Sequence, residues 1–388
     1  MADFQFTDCQ QRCLDMAARW DRKGPFIVDG EAGSGKSTIL RAILEEMGGT
    51  YALLGPTGKA ARVITAKTGM PAQTIHSFMY KPVDDQRGKL QKELGDLLRK
   101  DPLSRYIDRI HQELKELEGG NGVNFSANGV ADDVDIIAID ERSMVGQHIA
   151  DDLDALRVPL LLVGDEYQLP PVKDTPGWSH LRPRITLDEC KRTNSSSWGI
   201  TDAANRLRKD GFLRTDGPGF TLAKKGSLDW EAYAGYDVVL CGRNETRRIM
   251  NKGLRRELGF SGLLPAIGEK LVCLANTEHF GVSNGDSFRL KEIAKETKHT
   301  ITIDCIRDDG EEVLGIVCWK DLFHDDSGTM IAPRGLGLFT FGYAMTVHKF
   351  QGSEAPRVAL CDDLKGGDKS RWLYTGVTRA SQEVVVVR

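Results

Sequence analysis

A glycine-rich segment at residues 30–37 lies between a short apolar run and a helical pattern, and it constrains the fold more than any other feature. The apolar run spans residues 25–29, and the helical pattern continues from the glycine-rich segment to Met47. The segment reads Gly-Glu-Ala-Gly-Ser-Gly-Lys-Ser, which matches the pattern G-x-x-x-x-G-K-[ST] in full. After a strand and before a helix, this pattern predicts a phosphate-binding loop, because glycines let backbone N–H groups turn inward around phosphate oxygens.

The loop supplies candidate ligands for a nucleoside triphosphate. Lys36 is long enough to reach the terminal phosphates, and the Ser37 hydroxyl group can bind Mg²⁺. The alternative is a chance glycine-rich turn, against which the flanking strand and helix argue. We therefore predict that ATP and Mg²⁺ are cofactors and that the nucleotide is bound by Gly30, Gly33, Gly35, Lys36, Ser37 and Thr38.

An acidic pair follows a second apolar run, at residues 136–139. Asp140 is predicted to hold Mg²⁺, and Glu141 is predicted to orient and deprotonate the attacking water. A carboxylate at the end of a buried strand supplies the second half of a P-loop ATPase site. The alternative for Glu141 is a solvated carboxylate on the surface.

Short β-rich runs alternate with helical patterns, which predicts an α/β fold with parallel, doubly wound sheets. The runs in the first half lie at residues 51–54, 136–139 and 160–163, and a second series that begins after Asp188 includes residues 237–241. Two further runs, at 300–306 and 312–319, flank Asp-Asp-Gly and predict a β-hairpin. A charged segment from about residue 84 to 117 predicts the helices of an insertion.

The overall charge excludes one simple route to nucleic-acid binding. The net charge is −4 and the pI is about 6.1, so no global basic field surrounds the protein. Any contact with DNA must therefore come from a local channel. The length of 388 residues predicts two or three domains.

The eight cysteines are scattered and form no Cys-x-x-Cys pair, which predicts reduced, buried thiols rather than a zinc site. The N-terminus lacks a basic start followed by an apolar run, and no segment approaches the roughly 20 apolar residues that span a bilayer. We therefore expect a cytoplasmic protein.

Three longer motifs narrow the class of P-loop protein. They read Val-Gly-Asp-Glu-Tyr-Gln-Leu-Pro-Pro-Val at 163–172, Tyr-Ala-Met-Thr-Val-His-Lys-Phe-Gln-Gly-Ser-Glu at 343–354 and Tyr-Thr-Gly-Val-Thr-Arg-Ala at 374–380. With these motifs in order over nearly the whole chain, the sequence resembles the superfamily 1B helicases, the branch of RecD-like and phage Dda-like enzymes. The resemblance implies an ATP-dependent DNA helicase that moves on single-stranded DNA. Only the resemblance to this branch implies movement in the 5′→3′ direction.

The same resemblance implies two RecA-like lobes with two insertions. Lobe 1 is expected at 1–80 and 131–186 and lobe 2 at 187–284 and 341–388, with a 1B/pin insertion at 81–130 and an SH3-like β-barrel at 285–340. Within the first insertion only residues 122–129 resemble a hairpin, and Phe125 is a hypothetical strand-separating wedge.

For the nucleotide site, the resemblance implies roles for five further residues. Gln10 would read the adenine, Gln168 would sense the γ-phosphate, and Glu354 would lie near the ribose. Arg192 and Arg379 would reach the γ-phosphate from the second lobe. Arginines delivered across a cleft stabilise the transition state only when the lobes close, which ties hydrolysis to motion.

For DNA, the resemblance points to hydroxyl groups and basic residues in three segments: Pro56, Thr57, Lys59, Thr74, His76, Ser77, Thr346, His348 and Lys349. Small hydroxyls suit phosphates, and His76 or Phe78 is a candidate for stacking on a base. The alternatives are that His76 is a hydrogen-bonded core histidine and that Phe78 belongs to the core. Four residues at helical spacing in lobe 2 suit either phosphate contact or a solvated or lobe-facing helix: Asn244, Arg248, Asn251 and Arg255.

Two positions depart from the family pattern, namely Arg142 and Phe350, where smaller residues are usual. The expected partners are single-stranded DNA and junctions of single- and double-stranded DNA, with replication or recombination proteins as further candidates. A monomer and no membrane are expected, in a bacterium or a phage-infected cell. Two other functions stay open, a nucleic-acid-binding subunit switched by ATP and an RNA helicase, and a P-loop kinase is the weakest rival.

Overall fold

The computed structural model describes residues 5–79, 86–100, 106–110, 112–113, 133–172, 174–188, 197–214, 216–323, 335–364 and 366–388. The predicted hairpin at 122–129, with Phe125, lies outside the described residues, and so does Arg192.

Lobe 1 is built on a six-stranded parallel sheet in the order β3-β2-β4-β5-β1-β6. Its strands are β1 (Phe26–Gly30), β2 (Tyr51–Gly55), β3 (Gln73–Thr74), β4 (Ile136–Ile139), β5 (Leu160–Gly164) and β6 (Ile185–Leu187). The central strands β1, β4 and β5 are buried along their whole length because both faces of the sheet are covered. The predicted parallel α/β sheet is confirmed.

Helices cover this sheet on both faces. They are α1 (Asp8–Ala18), α2 (Lys36–Met47), α3 (Gly58–Thr68), α4 (Ile75–Met79) and α6 (Gln147–Ala155), with α5 (Gln86–Lys100) in the insertion. One apolar cluster joins the sheet to α1 and α2, and another joins its opposite face to α4 and α6. Helix α1 begins at a capping box, in which Thr7 and Gln10 bond to each other's backbone N–H groups.

Lobe 2 contains a second parallel sheet, of five strands in the order β14-β8-β15-β16-β7. Its strands are β7 (Phe220–Ala223), β8 (Val238–Cys241), β14 (Ala344–Thr346), β15 (Ala355–Cys361) and β16 (Ala380–Val387). The helices are α7 (Trp198–Asp210), α8 (Trp230–Ala234), α9 (Asn244–Glu257), α10 (Val347–Phe350) and α11 (Lys369–Val377). The two lobes therefore repeat one α/β architecture.

Polar side chains attach helix α9 to the rest of lobe 2. The sequence had left open whether these side chains contact phosphate or face the lobe. The Asn251 side chain donates to Ala344 O at 3.0 Å and accepts from Ala344 N at 2.9 Å. Arg255 pairs with the fully buried Glu269 at 2.7 Å, and its guanidinium stacks on the Phe341 ring. Both residues stabilise the lobe, which supports the lobe-facing interpretation over phosphate contact.

An antiparallel sheet is inserted in lobe 2, in the order β12-β11-β10-β9-β13. Its strands are β9 (Lys270–Cys273), β10 (Ser287–Glu296), β11 (Thr300–Arg307), β12 (Glu312–Trp319) and β13 (Phe339–Phe341). The predicted hairpin is β11 with β12. Gly337 N donates to Val317 O at 2.8 Å and Gly337 O accepts from Trp319 N at 3.1 Å, so the two edges of the sheet meet.

The small sheet starts earlier in the chain than the predicted boundary at residue 285. Strand β9 begins at Lys270 and pairs with β10 and β13 rather than with the parallel strands of lobe 2. The boundary is therefore corrected to about Lys270. An isolated apolar run of this length has the same local pattern in a parallel and an antiparallel sheet.

The cysteines within the described segments are buried thiols: Cys9, Cys13, Cys241, Cys273, Cys305, Cys318 and Cys361. Burial raises the pKa of Cys13 to about 12, so this thiol stays protonated and inert. Each helix of the described chain is too short or too polar to cross a lipid bilayer.

Candidate nucleotide site between the two lobes

The glycine-rich loop joins β1 to α2 and has the shape of a phosphate cradle. Gly33 and Gly35 adopt left-handed backbone conformations, with φ of 85° and 82°, which side chains on Cβ disfavour. A Cβ atom on Gly30 would lie 2.6 Å from Ser34 Oγ. Glycine is therefore needed at these positions to leave the inside of the loop open.

The lysine of the loop points into the cradle. Lys36 Nζ donates to Gly30 O at 2.9 Å and to Glu31 O at 2.8 Å. The buried Ser34 Oγ makes no hydrogen bond within the described part of the chain. A buried hydroxyl group without a partner and an ammonium group held only by loop carbonyls fit the arrival of phosphate oxygens.

The acidic pair lies directly beside this loop. Asp140 Oδ2 accepts from Ser37 Oγ at 3.3 Å, and Asp140 Oδ1 accepts from the backbone N–H of Glu141 at 2.8 Å. A hydroxyl oxygen and a carboxylate oxygen at this separation are hard ligands of the kind that Mg²⁺ prefers. The residues present therefore fit the predicted metal.

Glu141 has a strained backbone, with φ of 57°, and strain of this kind concentrates at functional sites. Its Oε2 atom is buried and has no hydrogen-bond partner among the described residues. Burial, followed by the charge of Asp140, raises the pKa of the Glu141 carboxyl group. The solvated surface carboxylate is therefore the wrong interpretation of Glu141.

A cavity of about 370 Å³ opens above the loop, and both lobes line it. From lobe 1 come Ala32, Gly33, Gly35, Lys36, Ser37, Thr38, Ala60, Val63, Ile64, Lys67, Asp140, Glu141 and Gln168, and from lobe 2 come Gly352, Glu354 and Arg379. The structure thus brings together residues of the loop, the acidic pair and all three of the long motifs.

Arg379 is buried and held in position by lobe 2. Its guanidinium donates to Thr375 O at 2.9 Å, to Ser353 O at 3.2 Å and to Thr378 Oγ1 at 3.3 Å. Its positive charge lies close enough to Glu141 to oppose the rise in that residue's pKa. The side chain is therefore fixed at the wall of the cavity that faces the acidic pair.

Two further predicted residues line the cavity. Gln168 Nε2 donates weakly to Asp165 Oδ2 at 3.4 Å, and its buried Oε1 accepts no hydrogen bond within the described ranges. Glu354 forms an ion pair with Lys67 at 2.9 Å, from lobe 2 to helix α3 of lobe 1. Sequence reasoning missed Lys67. The signal that could have identified it is its position on α3, one helical turn beyond Val63 and Ile64, which also line the cavity.

Gln10 has a different place from the predicted one. Its Nε2 donates to Ser34 O at 3.0 Å and its Oε1 accepts from Thr7 N at 3.1 Å, in a buried position behind the loop. The described lining of the cavity does not include it. In this structure Gln10 supports the phosphate loop instead of facing a base, because both ends of its amide are already bonded.

The residues predicted to contact DNA fall in three segments that follow the carboxyl ends of β2, β3 and β14. In each segment a threonine hydroxyl caps a helix: Thr57 accepts from Ala60 N, Thr74 from Ser77 N and Thr346 from Lys349 N. His76 is exposed, which excludes the alternative of a core histidine. The other residues of these segments are Pro56 and His348, and burial lowers the pKa of His348.

Phe78 is wrong as a base-stacking platform. It is 3% exposed and belongs to the apolar cluster between α4, the sheet and Trp178. Ile75, Phe78 and Met79 are all buried and lie three and four residues apart on α4. This spacing is the sequence signal of a core-facing side chain.

Lys59 is engaged with lobe 2. Its Nζ donates to Gly285 O at 3.0 Å and lies 5.5 Å from the centre of the Phe350 ring. Burial lowers the pKa of the Lys59 ammonium group. The larger residue at position 350 therefore packs in the core of lobe 2 and against this lysine.

Arg142 is the other departure from the family pattern. The neighbouring strand β5 makes room for it because it has a glycine, Gly164, at the point of contact. A Cβ atom on Gly164 would lie 3.0 Å from the Cβ atom of Arg142. Arg142 is itself buried, and its charge acts to lower the raised pKa of Asp29. The substitution leaves the acidic pair beside it intact.

The loop, the acidic pair and the arginine facing them across a cleft define a two-lobed P-loop nucleotide-binding protein. The family model described as the AAA domain matches residues 7–215, which is more than half of the chain, and the chain belongs to this family. A second model, the UvrD-like helicase C-terminal domain, matches residues 341–387. Together with the relatives described next, these matches confirm the resemblance to the superfamily 1B DNA helicases that the motifs indicated.

The chain is 27% identical over 381 residues to the ATP-dependent RecD2 DNA helicase of Deinococcus radiodurans, across 91% of this chain and 45% of that protein. It is 36% identical over 89 residues to the ATP-dependent DNA helicase dda of Enterobacteria phage T4, across 21% of this chain and 20% of that protein. The chain therefore spans less than half of the length of these curated relatives.

Solved structures align with nearly the whole chain. A Pif1 helicase from Bacteroides, in complex with ADP-AlF3 and single-stranded DNA, aligns with a TM-score of 0.57 at 17% identity, over 99% of this chain and 92% of that chain. A structure of two coordinating Pif1 helicases at forked double-stranded DNA aligns with a TM-score of 0.59, also at 17% identity, over the same shares. These similarities confirm two RecA-like α/β lobes.

Proposed function

We propose that the protein is an ATP-driven DNA helicase that moves along single-stranded DNA. The observation that carries the proposal is the cleft, in which Arg379 of lobe 2 faces Lys36 and Glu141 of lobe 1 across one cavity. Because each lobe supplies part of the site, hydrolysis and lobe movement depend on each other. Relatives of the chain in a bacterium, a phage and a yeast are DNA helicases, which supports DNA as the track.

ATP is the proposed nucleotide, bound with its phosphates in the loop. Lys36 would leave the carbonyl groups of Gly30 and Glu31 and bind phosphate oxygens, and Ser34 Oγ would gain a partner. Ser37 and Asp140 would hold Mg²⁺, which supplies positive charge against the phosphate oxygens. Glu354, with Lys67, would face the ribose side.

The proton of the attacking water would go to Glu141. A raised pKa makes the ionised Glu141 a stronger base than a carboxylate in water, and its unpartnered Oε2 is available to accept a proton. Gln168 Oε1 would orient the same water. Arg379 would stabilise the charge that develops on the transferred phosphoryl group, and we propose the same for Arg192.

The proposed DNA path crosses the two lobes along the capped helix N-termini. Helix N-termini attract phosphates, and the three segments lie at the carboxyl edges of the parallel sheets, where ligands of open α/β folds bind. The residues proposed to face DNA are Pro56, Thr57, Thr74, His76, Ser77, Thr346, His348 and Lys349. Lys59 would join them only after leaving Gly285, and a similar fold bound to single-stranded DNA supports the path.

Several finer features belong to the same proposal. The closed antiparallel sheet is proposed to be an SH3-like barrel that starts at Lys270. The insertion at 81–130 is proposed to separate the DNA strands. The rest of the predicted division into lobes remains a proposal. We also propose that the protein moves in the 5′→3′ direction and is a monomer. It is proposed to work beside replication or recombination proteins in a bacterial or phage-infected cell.

Strand separation by the isolated protein tests the proposal. We expect ATP-dependent opening of a duplex with a 5′ single-stranded tail, and no opening of a blunt duplex or of one with a 3′ tail. If only the duplex with a 3′ tail is opened, the protein moves in the 3′→5′ direction and the proposed polarity is wrong. ATP turnover without opening of any duplex would indicate instead a nucleic-acid-binding subunit that ATP switches.

A further inference from the structure

A helix of lobe 2 holds the side chain of a residue within the phosphate loop. With its amide in the orientation that its neighbours require, Asn205 Nδ2 donates to both carboxylate oxygens of Glu31 at 2.9 Å. Arg208, one helical turn further along α7, places Nη1 3.3 Å from Glu31 Oε1. We call these three residues the clasp.

The clasp holds a residue whose backbone bonds to the lysine of the site. Glu31 O accepts from Lys36 Nζ at 2.8 Å and from Ser34 N at 3.2 Å, and Glu31 N donates to Leu187 O at 3.4 Å. The carboxylate of Glu31 therefore fixes the peptide that positions Lys36. A displacement of Glu31 would change the cradle even though Glu31 itself is not among the residues that line the cavity.

The other side of the clasp belongs firmly to lobe 2. Helix α7 packs on α11 and on strands β7 and β16, with Leu207 fully buried in the core of that lobe. The Arg208 guanidinium lies 5.9 Å from the ring centre of Tyr374, which belongs to helix α11 of lobe 2. The clasp therefore connects the phosphate loop of lobe 1 to a helix that is packed in the core of lobe 2.

The clasp is sufficiently buried to matter energetically. The side chains of Arg208 and Glu31 are 19% and 18% exposed, so water screens this pair less than a surface ion pair. The two bonds from Asn205 add geometric restraint that a lone ion pair lacks. A loop that is already held in its binding shape saves the free energy of ordering when the ligand arrives.

We propose that Glu31 is a positioning residue, through which Asn205 and Arg208 of lobe 2 hold the phosphate loop in its nucleotide-binding shape. The proposal rests on the function above for the identity of the bound phosphates, those of ATP. It predicts that breaking the clasp weakens nucleotide binding, and leaves the chemical step at saturating ATP nearly unchanged.

An exchange of donor and acceptor tests the clasp. Asn205→Asp sets a second carboxylate against Glu31, so we expect the Kd for the Mg²⁺ complex of a non-hydrolysable ATP analogue to rise about tenfold. In the double variant Glu31→Gln/Asn205→Asp, the new amide can donate to the new carboxylate, and the Kd should return to within about threefold of the original. Burial raises the pKa of Glu31, so the measurement is made at pH 8, where the carboxylates are ionised.

The control is Asp202→Asn on the same helix, which breaks a partly exposed ion pair with Arg206 and should leave the Kd unchanged. Asn205→Ala replaces Asn205→Asp if the latter does not fold, with a smaller rise expected. An unchanged Kd in the folded single variant, or a loss that the double variant does not restore, would overturn the proposal. So would a fall in kcat at saturating ATP with the Kd unaltered.

Because the analogue is not hydrolysed, this test does not depend on DNA stimulation or on strand separation. A protein that binds the analogue but ignores DNA would refute the helicase function and leave the clasp measurable. A protein that unwinds DNA but has the same Kd in every variant would refute the clasp alone.

Discussion

Glu141→Gln is expected to lower kcat for ATP hydrolysis by about a thousandfold while ATP binding persists, because an amide cannot accept the proton of the attacking water. The substitution keeps the size and shape of the side chain. It also removes a negative charge beside Asp140, so nucleotide affinity should stay the same or increase. The loss therefore belongs to the chemical step.

Steady-state hydrolysis and analogue binding, measured on the same preparation, check this prediction. Glu166→Gln is the matched control, because Glu166 is an exposed acidic residue in the loop after the neighbouring β5, and kcat should change by less than about twofold. A Glu141→Gln protein that retains a tenth or more of the original kcat would exclude Glu141 as the base.

The pH dependence of ATP hydrolysis is a second test of the role of Glu141, with the same Glu141→Gln variant. The raised pKa of Glu141 means that the base loses its ionised form at a higher pH than the ordinary value of about 4.3. Hydrolysis by the original protein should therefore decline on acidification while a free carboxylate would still be ionised. The residual activity of Glu141→Gln should lack this decline.

Arg379→Ala is expected to lower kcat by about a thousandfold, because it removes the positive charge that lobe 2 delivers to the transferred phosphoryl group. Three acceptors in lobe 2 fix the direction of the guanidinium. A lysine cannot reproduce that set of bonds, so Arg379→Lys should recover little of the activity. Nucleotide binding in the absence of hydrolysis should change much less than kcat.

Because Arg379 is buried, the thermal unfolding of both variants must be compared with that of the original protein. Arg357→Ala serves as the control in the same lobe, since it breaks a partly exposed ion pair with Glu383 and neither residue lines the cavity. Equal losses of kcat in the control and in Arg379→Ala would contradict the specific role. A folded Arg379→Ala protein with normal kcat would do the same.

The predicted site residues that the structure brings together around the loop are those that local pattern controls. The loop from Gly30 to Ser37 needs particular glycines and a following helix, all within one short segment. The acidic pair is recognisable because the apolar strand before it is continuous and ends at Ile139. Local segments of this kind fold into the same geometry in many proteins, so their pattern is informative without tertiary data.

The features that were missed or misplaced depend on contacts between distant segments. Nothing in the sequence near Glu31 indicates Asn205 and Arg208, and Lys67 meets Glu354 only because the lobes face each other. Gln10 was expected at the base, yet its amide is occupied by the loop and by Thr7. Such pairings arise from the packing of whole elements.

Phe78 and β9 show two different limits of local pattern. The burial of Phe78 was legible from its spacing with Ile75 and Met79 on α4, but the neighbouring polar residues favoured a functional interpretation. Strand β9 gave no local signal of its sheet, because only the partners β10 and β13 distinguish it from a parallel strand.

The central claim is that the cleft hydrolyses ATP in response to single-stranded DNA. The most direct measurement is ATP hydrolysis by the purified protein with and without single-stranded DNA, beside matched RNA and the Lys36→Ala variant. We predict that DNA stimulates hydrolysis about tenfold or more, that RNA does so far less, and that Lys36→Ala abolishes the activity. Hydrolysis that is indifferent to DNA, or that survives in Lys36→Ala, would contradict the account, and stimulation by RNA alone would redirect it to an RNA helicase.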